Sequence, residues 1–398
     1  MSVANLGRRA GYRAGLAVLV LLALSLGLAP LTHAQLNLVY VEGNVTGGSG
    51  NEVLGFSNDG AGNLTPLPGS PYLTGGFGVT GVFSDIQFDS DGELLSNSAG
   101  SLLFAVNGNS NTISSFSINT DGSLTANAGS PFSSGGQDPV SLAVKENAYA
   151  NGDSLMVALN KNSDPAQTGG VPSYVTFEVT GAGSMTMNPG SAFSIASGTS
   201  PAQVLTRPGT RVQFFGIEFM NDKVVAYKAN KAGALSEVSE DVASGVTLGG
   251  VMIPTRNGLY VGLPGMSQIT VNKYDSAGNL SIVRSVSNPG SLVCWLTMNS
   301  VGTRLYSGET GSGTVTVYDT TNAGNPIQLQ HFTLSPSGSL PAHLKIDPTG
   351  TFLYVVDRGG SLHVLNIDVN GMLSENHAAI NLGLPLGGIP MGLATVTK

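Results

Sequence analysis

Five titratable side chains of this sequence could together carry out acid–base chemistry. They are one imidazole (His343), three carboxylates (Glu218, Glu309 and Asp357) and one guanidinium (Arg358). A carboxylate next to an imidazole can bring the pKa of the imidazole near neutrality, so that the pair takes up a proton and returns it. A nearby guanidinium can hold an anionic substrate. These residue types indicate a hydrolytic site, on the condition that the fold brings them together.

Metal and cofactor chemistry has less support in the sequence. Four histidines follow residue 34, namely His331, His343, His363 and His377. No two of them have metal-ligand spacing on one element, so no catalytic zinc site is predicted. No Gly-x-Ser-x-Gly elbow, P-loop or dinucleotide fingerprint occurs, and we therefore expect no cofactor.

One acidic run leaves calcium binding open. Asp89, Asp91 and Glu93 lie within five residues, with Asp85 just before them. Their carboxylates are the hard oxygen ligands that calcium prefers. The same run also fits an ordinary β-turn, and the full calcium-loop motif is absent.

The candidate residues lie in a repeated unit of short strands and glycine-rich turns. In its clearest copy, an opening strand at residues 342–346 is followed by a strand centred on Tyr354, an alternating strand at residues 362–368 and a turn at Asn370-Gly371. The aromatic or bulky strand occurs seven times, around Tyr40, Phe104, Met156, Phe215, Tyr260, Tyr306 and Tyr354. Such a repeat is typical of radial β-arrays. The sequence predicts an all-β, seven-bladed β-propeller.

The unit also predicts where the candidate residues meet. In an antiparallel blade the start of the first strand and the end of the second lie on one face, so residues three beyond each aromatic should form a ring there. The ring consists of Gly43, Asn107, Asn160, Glu218, Leu263, Glu309 and Asp357. We expect His343 and Arg358 on the same rim. The alternative is that these polar residues only form turns at strand ends.

The two ends of the segment 35–398 predict how the ring of blades closes. The chain after residue 34 starts with an aromatic strand at residues 38–40 and ends with an unpartnered opening strand at residues 389–396. We expect these two segments to share the first blade. Because no linker divides residues 35–398, the sequence predicts a single propeller domain.

The N-terminus resembles an export signal. Arg8, Arg9 and Arg13 precede an uncharged apolar run at residues 14–28, and small residues around Ala34 suit cleavage before Gln35. We expect residues 1–34 to be a secretory signal peptide. The mature protein is then secreted or periplasmic and does not span the membrane.

Charge restricts the partners. The full chain carries 17 basic and 25 acidic residues, and the N-terminal segment contains three of the basic residues and no acidic one. The remaining excess of about 11 acidic residues argues against nucleic acid or an anionic membrane as partner. We expect a monomer.

The segment from His343 to Asp357, together with the Gly-x-Leu turns of the repeat, resembles sequences of the seven-bladed lactonase family. That family includes bacterial 6-phosphogluconolactonases and fungal carboxymuconate lactonising enzymes, and YVTN-type surface repeats share its blade. The resemblance covers residues 35–398 and implies a lactone-ring hydrolase acting on a small molecule. Enzymatic members carry an Arg-His pair and a Glu where this chain has Ala342-His343 and Arg358, and a Pro-His where it has Pro139-Val140.

Two functions from different classes therefore remain. In the first, His343 or a rim carboxylate activates water to open a lactone, and Arg358 holds an anionic substrate. In the second, the chain is a non-catalytic exported propeller that binds an extracellular protein, a glycan or another partner in the cell envelope. The geometry around His343 distinguishes them, because the first function needs a carboxylate within reach of this imidazole.

Overall fold

The computed structural model describes residues 35–79, 90–162 and 171–398 of the chain. The predicted signal peptide, Asp85 and Asp89 lie outside the described residues. Residues 35–398 belong to one compact unit. Its strands form seven antiparallel sheets that follow one another along the chain, and this confirms the predicted seven-bladed β-propeller.

The first three blades contain the following strands. Blade 1 has β1 (Asn37–Glu42), β2 (Glu52–Asn58), β3 (Leu64–Pro66) and β4 (Tyr72–Leu73). Blade 2 has β5 (Leu94–Ser96), β6 (Leu102–Asn107), β7 (Thr112–Ile118), β8 (Leu124–Ala126) and β9 (Phe132–Ser133). Blade 3 has β10 (Pro139–Lys145), β11 (Ser154–Asn160), β12 (Ser173–Val179), β13 (Met185–Met187) and β14 (Phe193–Ser194).

The remaining blades follow the same order. Blade 4 has β15 (Pro201–Thr206), β16 (Gln213–Glu218), β17 (Lys223–Ala229) and β18 (Leu235–Val242). Blade 5 has β19 (Gly250–Met252), β20 (Gly258–Leu263), β21 (Gln268–Tyr274) and β22 (Leu280–Ser287). Blade 6 has β23 (Val293–Met298), β24 (Arg304–Glu309), β25 (Thr314–Asp319) and β26 (Ile327–Thr333). Blade 7 has β27 (Pro341–Ile346), β28 (Phe352–Asp357), β29 (Ser361–Ile367), β30 (Leu373–Ser374) and β31 (Ile380–Asn381).

The last strand, β32 (Leu393–Thr397), closes the ring. It pairs antiparallel with β1, so that Asn37 lies opposite Thr397 and Val41 opposite Leu393. This confirms the prediction that the two ends of the propeller share the first blade. Closure removes the open edges that a linear array of blades would expose.

The repeated aromatic residue links neighbouring blades. Tyr40 of blade 1 donates a hydrogen bond to the carbonyl oxygen of Gly122 in blade 2 (2.7 Å), and Tyr306 of blade 6 donates one to Gly371 in blade 7 (3.0 Å). Asn58 of blade 1 donates to the hydroxyl of Tyr354 in blade 7 (2.6 Å). Each ring is buried among aliphatic side chains while its hydroxyl finds a polar partner, as a buried tyrosine requires.

The Gly-x-Leu turns form the hairpins before the outer strands. At residues 275–279 the Asp275 carboxylate accepts hydrogen bonds from the backbone N–H groups of Ala277, Gly278 and Asn279. Gly278 has a φ of 104°, a conformation that favours glycine because no Cβ is present. The turn chemistry read from the sequence is therefore what ends one strand and starts the next.

Helical structure is limited to short turns in the described residues. Two 3-10 turns, Phe219–Asn221 and Pro264–Met266, each follow directly after the second strand of a blade. In the described part of the chain no helix has the length and apolarity needed to cross a lipid bilayer.

Candidate functional site

The first strand of each blade lines the centre of the propeller. A cavity of about 280 Å³ lies there, with walls contributed by β5, β10, β15, β19, β23 and β27. Most of its lining is aliphatic, and its polar side chains include Asp91, Gln203, His343 and Lys345. We call this cavity the central channel.

A histidine–carboxylate cluster stands at the wall of the central channel. The Nε2 atom of His343, on β27, lies 2.8 Å from Oδ1 of Asp91, and the Nδ1 atom lies 3.9 Å from Oε2 of Glu93. All three side chains are buried. The Nδ1 atom also lies 3.2 Å from the Met391 carbonyl oxygen and 3.1 Å from the Leu393 backbone nitrogen. The segment that leads into β32 therefore fixes the plane of the imidazole.

Backbone hydrogen bonds to two further blades position Asp91. Its N–H donates to the carbonyl oxygen of Ala202 in blade 4 (3.1 Å), and its own carbonyl accepts from the Ser141 hydroxyl in blade 3 (2.6 Å). The following Gly92 has a φ of 93°, and a Cβ there would lie 2.8 Å from the Ser141 hydroxyl oxygen. The chain can pass this close to blade 3 only with glycine at position 92.

Burial and neighbouring charges shift the pKa values of this cluster. Burial alone would lower the pKa of His343, but Asp91 and then Glu93 favour the charged ring, and the net shift is upward. Burial raises the pKa of Glu93 to about 8, against the attraction of His343. Burial likewise raises the pKa of Glu42, at the end of β1, to about 8. Lys345 extends to the water of the channel, and its partial loss of hydration lowers its pKa. The channel therefore combines groups that can exchange protons near neutrality.

The strand register places the predicted rim residues as expected. Pro341 pairs with Asp357, Val293 with Glu309 and Pro201 with Glu218, so the start of each first strand lies beside the end of the second. The side chains of these carboxylates, however, bind partners other than His343. Glu218 accepts a hydrogen bond from the Tyr227 hydroxyl (2.9 Å).

Glu309 is held inside blade 6. Its carboxylate accepts hydrogen bonds from Asn288 (2.8 Å), Thr314 (2.8 Å) and the Ser307 hydroxyl. Burial raises its pKa to about 7, and these three donors oppose the shift. A carboxylate with this many protein donors is tied to the blade, and a water molecule must compete with them to reach it.

Asp357 and Arg358 point to different surroundings. The carboxylate of Asp357 faces His363 of the neighbouring strand β29, at 3.6 Å from its Nε2 atom. The guanidinium of Arg358 stacks over the Trp295 ring, 5.7 Å from its centroid. Arg358 also lines a second, largely apolar cavity of about 240 Å³, whose walls come from blades 4, 5, 6 and 7. The structure thus separates the predicted anion-binding arginine from the His343 cluster.

The other ring positions are structural. Asn107 is buried and bonds Thr74, Thr112 and Ser114, Asn160 bonds the Ser134 carbonyl, and Leu263 is buried without a polar function. Gly43 leaves room for Leu384, whose side chain would lie 2.9 Å from a Cβ at this position. These residues fit the alternative that strand ends carry turn-forming and packing residues.

The sequence grouped His343 with Glu218, Glu309, Asp357 and Arg358, whereas the carboxylates nearest to its imidazole in the structure are those of Asp91 and Glu93. Asp91 and Glu93 were considered only as part of an acidic run, and Glu42 was not considered. Ring closure is the feature that could have predicted this grouping. The segment before β32 contacts both Glu42 at the end of β1 and His343 near the start of β27. Nothing in the spacing of Asp91 and His343 along the chain reveals their contact.

Comparison with known proteins agrees with this architecture. Residues 258–385, which cover blades 5 to 7, match the family model described as a lactonase with a seven-bladed β-propeller. The predicted resemblance to the lactonase propellers is confirmed. A search of curated proteins finds no match to this chain.

Solved structures of the same fold include three bacterial proteins. The periplasmic gluconolactonase of Pseudomonas aeruginosa superposes with a TM-score of 0.69 at 17% identity, over 91% of this chain and 99% of its own. A candidate 6-phosphogluconolactonase of Bacteroides uniformis gives 0.69 at 16% identity, over 90% and 99%. A protein from Lactobacillus plantarum gives 0.68 at 17% identity, over 91% and 100%. At such identities the likeness establishes the fold and leaves the reaction to be argued from the site.

Proposed function

We propose that this lactonase-type propeller hydrolyses the ester bond of a small lactone in the central channel. The observation that carries the proposal is the contact of 2.8 Å between His343 and Asp91, two buried side chains that both line the cavity. A histidine with a carboxylate at this distance can exchange a proton with a bound molecule. The family match over blades 5 to 7 supports a lactone as the substrate class.

The pair accounts for both proton transfers of the reaction. Asp91 accepts a proton from the attacking water, whose oxygen bonds to the lactone carbonyl carbon. His343, which starts with a proton on each ring nitrogen, donates its Nε2 proton to the ring oxygen as the carbon–oxygen bond of the ring breaks, and it keeps its Nδ1 proton. A proton then passes from Asp91 to His343 across their hydrogen bond, and the pair returns to its starting state. The product is an open hydroxy acid.

The size and charge of the channel restrict the substrate. Sites for drug-sized ligands occupy about 300 to 1,000 Å³, so a cavity of about 280 Å³ favours a single-ring lactone. Lys345 lies two residues after His343 on the same face of β27 and also lines the cavity. Its ammonium group attracts a carboxylate or phosphate on the substrate. The proposed substrate is therefore a small sugar-derived lactone, with an anionic substituent preferred.

A lactone panel tests the proposal. Proton release is followed in a pH-stat for five- and six-membered sugar lactones with and without an anionic group, and the spontaneous rate is subtracted. We expect Asp91→Asn and His343→Gln each to lower kcat/KM by about 100-fold or more, the usual contribution of a positioned acid or base. His377→Gln, at a half-buried histidine whose ring contacts the Ala61 carbonyl, is the matched control and should leave the rate unchanged.

Two results would contradict this assignment. If Glu309→Gln abolishes hydrolysis while Asp91→Asn does not, the reaction takes place at the rim of blade 6. If the wild-type protein hydrolyses no lactone in the panel, the non-catalytic role remains, in which the propeller binds an extracellular protein or glycan. Thermal unfolding of each variant shows whether a lost activity reflects the site or a lost fold.

A further inference from the structure

Two buried carboxylates beside His343 each have one oxygen without a protein partner. Oε1 of Glu93 accepts a hydrogen bond from the Ser90 hydroxyl (2.9 Å), and Oε1 of Glu42 accepts one from the Asn51 amide (2.8 Å). Within the described part of the chain, Oε2 of each carboxylate is buried and has no hydrogen-bond partner. An unpaired buried carboxylate oxygen is costly, and native structures usually satisfy it with a donor, a water or an ion.

One orphan oxygen faces the imidazole, and the other lies beside the segment that holds it. Oε2 of Glu93 lies 3.9 Å from Nδ1 of His343. Oε2 of Glu42 lies 3.2 Å from where a Cβ of Gly392 would be, between the two residues whose backbone contacts the imidazole. Asp91 and Glu93 therefore flank the imidazole, and Glu42 lies behind it.

We propose that Asp91, Glu93 and His343 hold a divalent transition-metal ion, with the carboxylate of Glu42 at the edge of the site. Each of the three residues can place one ligand atom within 4.8 Å of the others. Two ligands that bind one ion at about 2.1 Å lie roughly 3.0 to 3.4 Å apart, so Nε2 of His343 and Oδ1 of Asp91, now 2.8 Å apart, need to separate only slightly to share it. Glu93 approaches the ring from the Nδ1 side, and its side chain must turn toward Nε2 to reach the same ion.

The surroundings of the three ligands match those of metal-binding side chains. A histidine that binds a metal through one nitrogen usually donates the N–H of the other to a backbone carbonyl or a carboxylate. Here Nδ1 of His343 lies 3.2 Å from the Met391 carbonyl oxygen, which leaves Nε2 to the ion. The Ser90 hydroxyl orients the Glu93 carboxylate in the same manner. The channel, which Asp91 and His343 line, supplies the route of entry.

The ligand set favours a transition metal over calcium or magnesium. Calcium and magnesium bind oxygen atoms almost exclusively, whereas imidazole combined with carboxylates suits zinc and its first-row neighbours. The site therefore differs from the calcium loop that the acidic run at residues 89–93 suggests, because His343 supplies a nitrogen ligand. Asp89 lies outside the described residues and is not part of the proposed site.

The inference deepens the proposed function without depending on it. An ion held by Asp91 and His343 would take the place of the proton that they share, and it would supply Lewis-acid polarisation of the lactone carbonyl instead of the direct proton transfers described above. Metal binding itself is measured in the absence of any lactone. Failure of the lactone panel and failure of the metal site are therefore separate results.

Calorimetry on the whole protein tests the site. The protein is stripped with a chelator, dialysed, and titrated at neutral pH with zinc chloride, and in parallel with calcium chloride. We expect one equivalent of zinc to bind, with affinity at least tenfold lower in His343→Gln and in Glu93→Gln. Glu42→Gln should weaken binding less, because its carboxylate stands at the edge. The control His377→Gln removes a half-buried histidine outside the proposed site and should bind zinc as the wild type does.

A cobalt spectrum provides a measurement that needs no variant. Cobalt(II) bound by one imidazole and carboxylates absorbs in the visible range, and zinc should displace it in a one-to-one ratio. Absence of binding at micromolar zinc would overturn the proposal, as would equal affinity in wild type, His343→Gln and Glu93→Gln. Binding of calcium with no binding of zinc or cobalt would overturn the transition-metal assignment.

Discussion

His363 is predicted to make the stability of the propeller depend on pH. Its ring is fully buried in blade 7, with Nδ1 2.7 Å from Oε1 of Glu375 and Nε2 3.6 Å from Oδ2 of Asp357. Burial opposes the charge on the ring, but the two carboxylates outweigh it and raise the pKa of His363 to about 9. The first contact is a hydrogen bond, and the second is too long for one and acts through charge.

The magnitude follows from the pKa difference between the folded and unfolded chain. An unfolded histidine titrates near 6.5, so the shift is about 2.5 units, and at about 1.4 kcal/mol per unit it corresponds to roughly 3 kcal/mol. Because the folded pKa is the higher one, this stabilisation is complete below pH 6.5. It disappears as the pH rises through about 9, when the folded ring also loses its proton.

Urea unfolding of wild type and His363→Gln between pH 6 and pH 10 measures the effect. We expect the difference between their free energies of unfolding to shrink by about 3 kcal/mol across this window. Glu42 and Glu93 also titrate there, but they are present in both proteins and cancel in the difference. His377→Gln, which changes a half-buried ring bonded to the Ala61 carbonyl, should follow the wild-type profile.

Two outcomes would refute this reasoning. Parallel stability profiles for wild type and His363→Gln would mean that the ring carries no extra proton in the folded state. An NMR titration of the His363 ring with a midpoint near 6.5 would show the same directly. A midpoint near 9 together with parallel profiles would place the raised pKa in the unfolded state as well.

Two further predictions concern the packing of the ring. Tyr306→Phe removes the hydrogen bond to the Gly371 carbonyl and should lower the free energy of unfolding by about 1 to 2 kcal/mol in urea denaturation, whereas Tyr149→Phe, at a half-buried ring, should cost less. Deletion of residues 392–398 removes the strand that pairs with β1 and should replace one cooperative thermal transition by a broad one, a result that unchanged calorimetric unfolding would contradict.

The repeated unit predicted the seven-bladed fold because the conformation of each blade depends mainly on residues that lie close together in the sequence. Alternating strands, Gly-x-Leu turns and one aromatic residue per unit specify an antiparallel blade from contacts within a few tens of residues. Asp275 and Gly278 illustrate this, since the Asp275 carboxylate accepts three backbone hydrogen bonds from its own turn and glycine supplies the positive φ. Closure between residues 38–41 and 393–396 was predictable as well, because each segment lacked a partner in its own part of the chain.

The site was predictable only in part. Sequence reasoning selected His343 and the face on which it starts its strand, and the register bears out that placement. It expected Glu218, Glu309 and Asp357 as companions because they share that face. Sharing a face does not decide where a side chain points: Glu218 and Glu309 accept hydrogen bonds from Tyr227 and Asn288, and Asp357 faces His363.

The sequence by itself determined an all-β ring of seven blades, its register and its closure, because these depend on strand periodicity and turn residues repeated along the chain. Only the tertiary structure decided which charges meet. Asp91 reaches His343 because Gly92 lets its segment cross against Ser141 and Ala202, and because ring closure brings Met391 and Leu393 to the imidazole. Such contacts join residues that no local pattern relates, and they depend on every blade between them being in place.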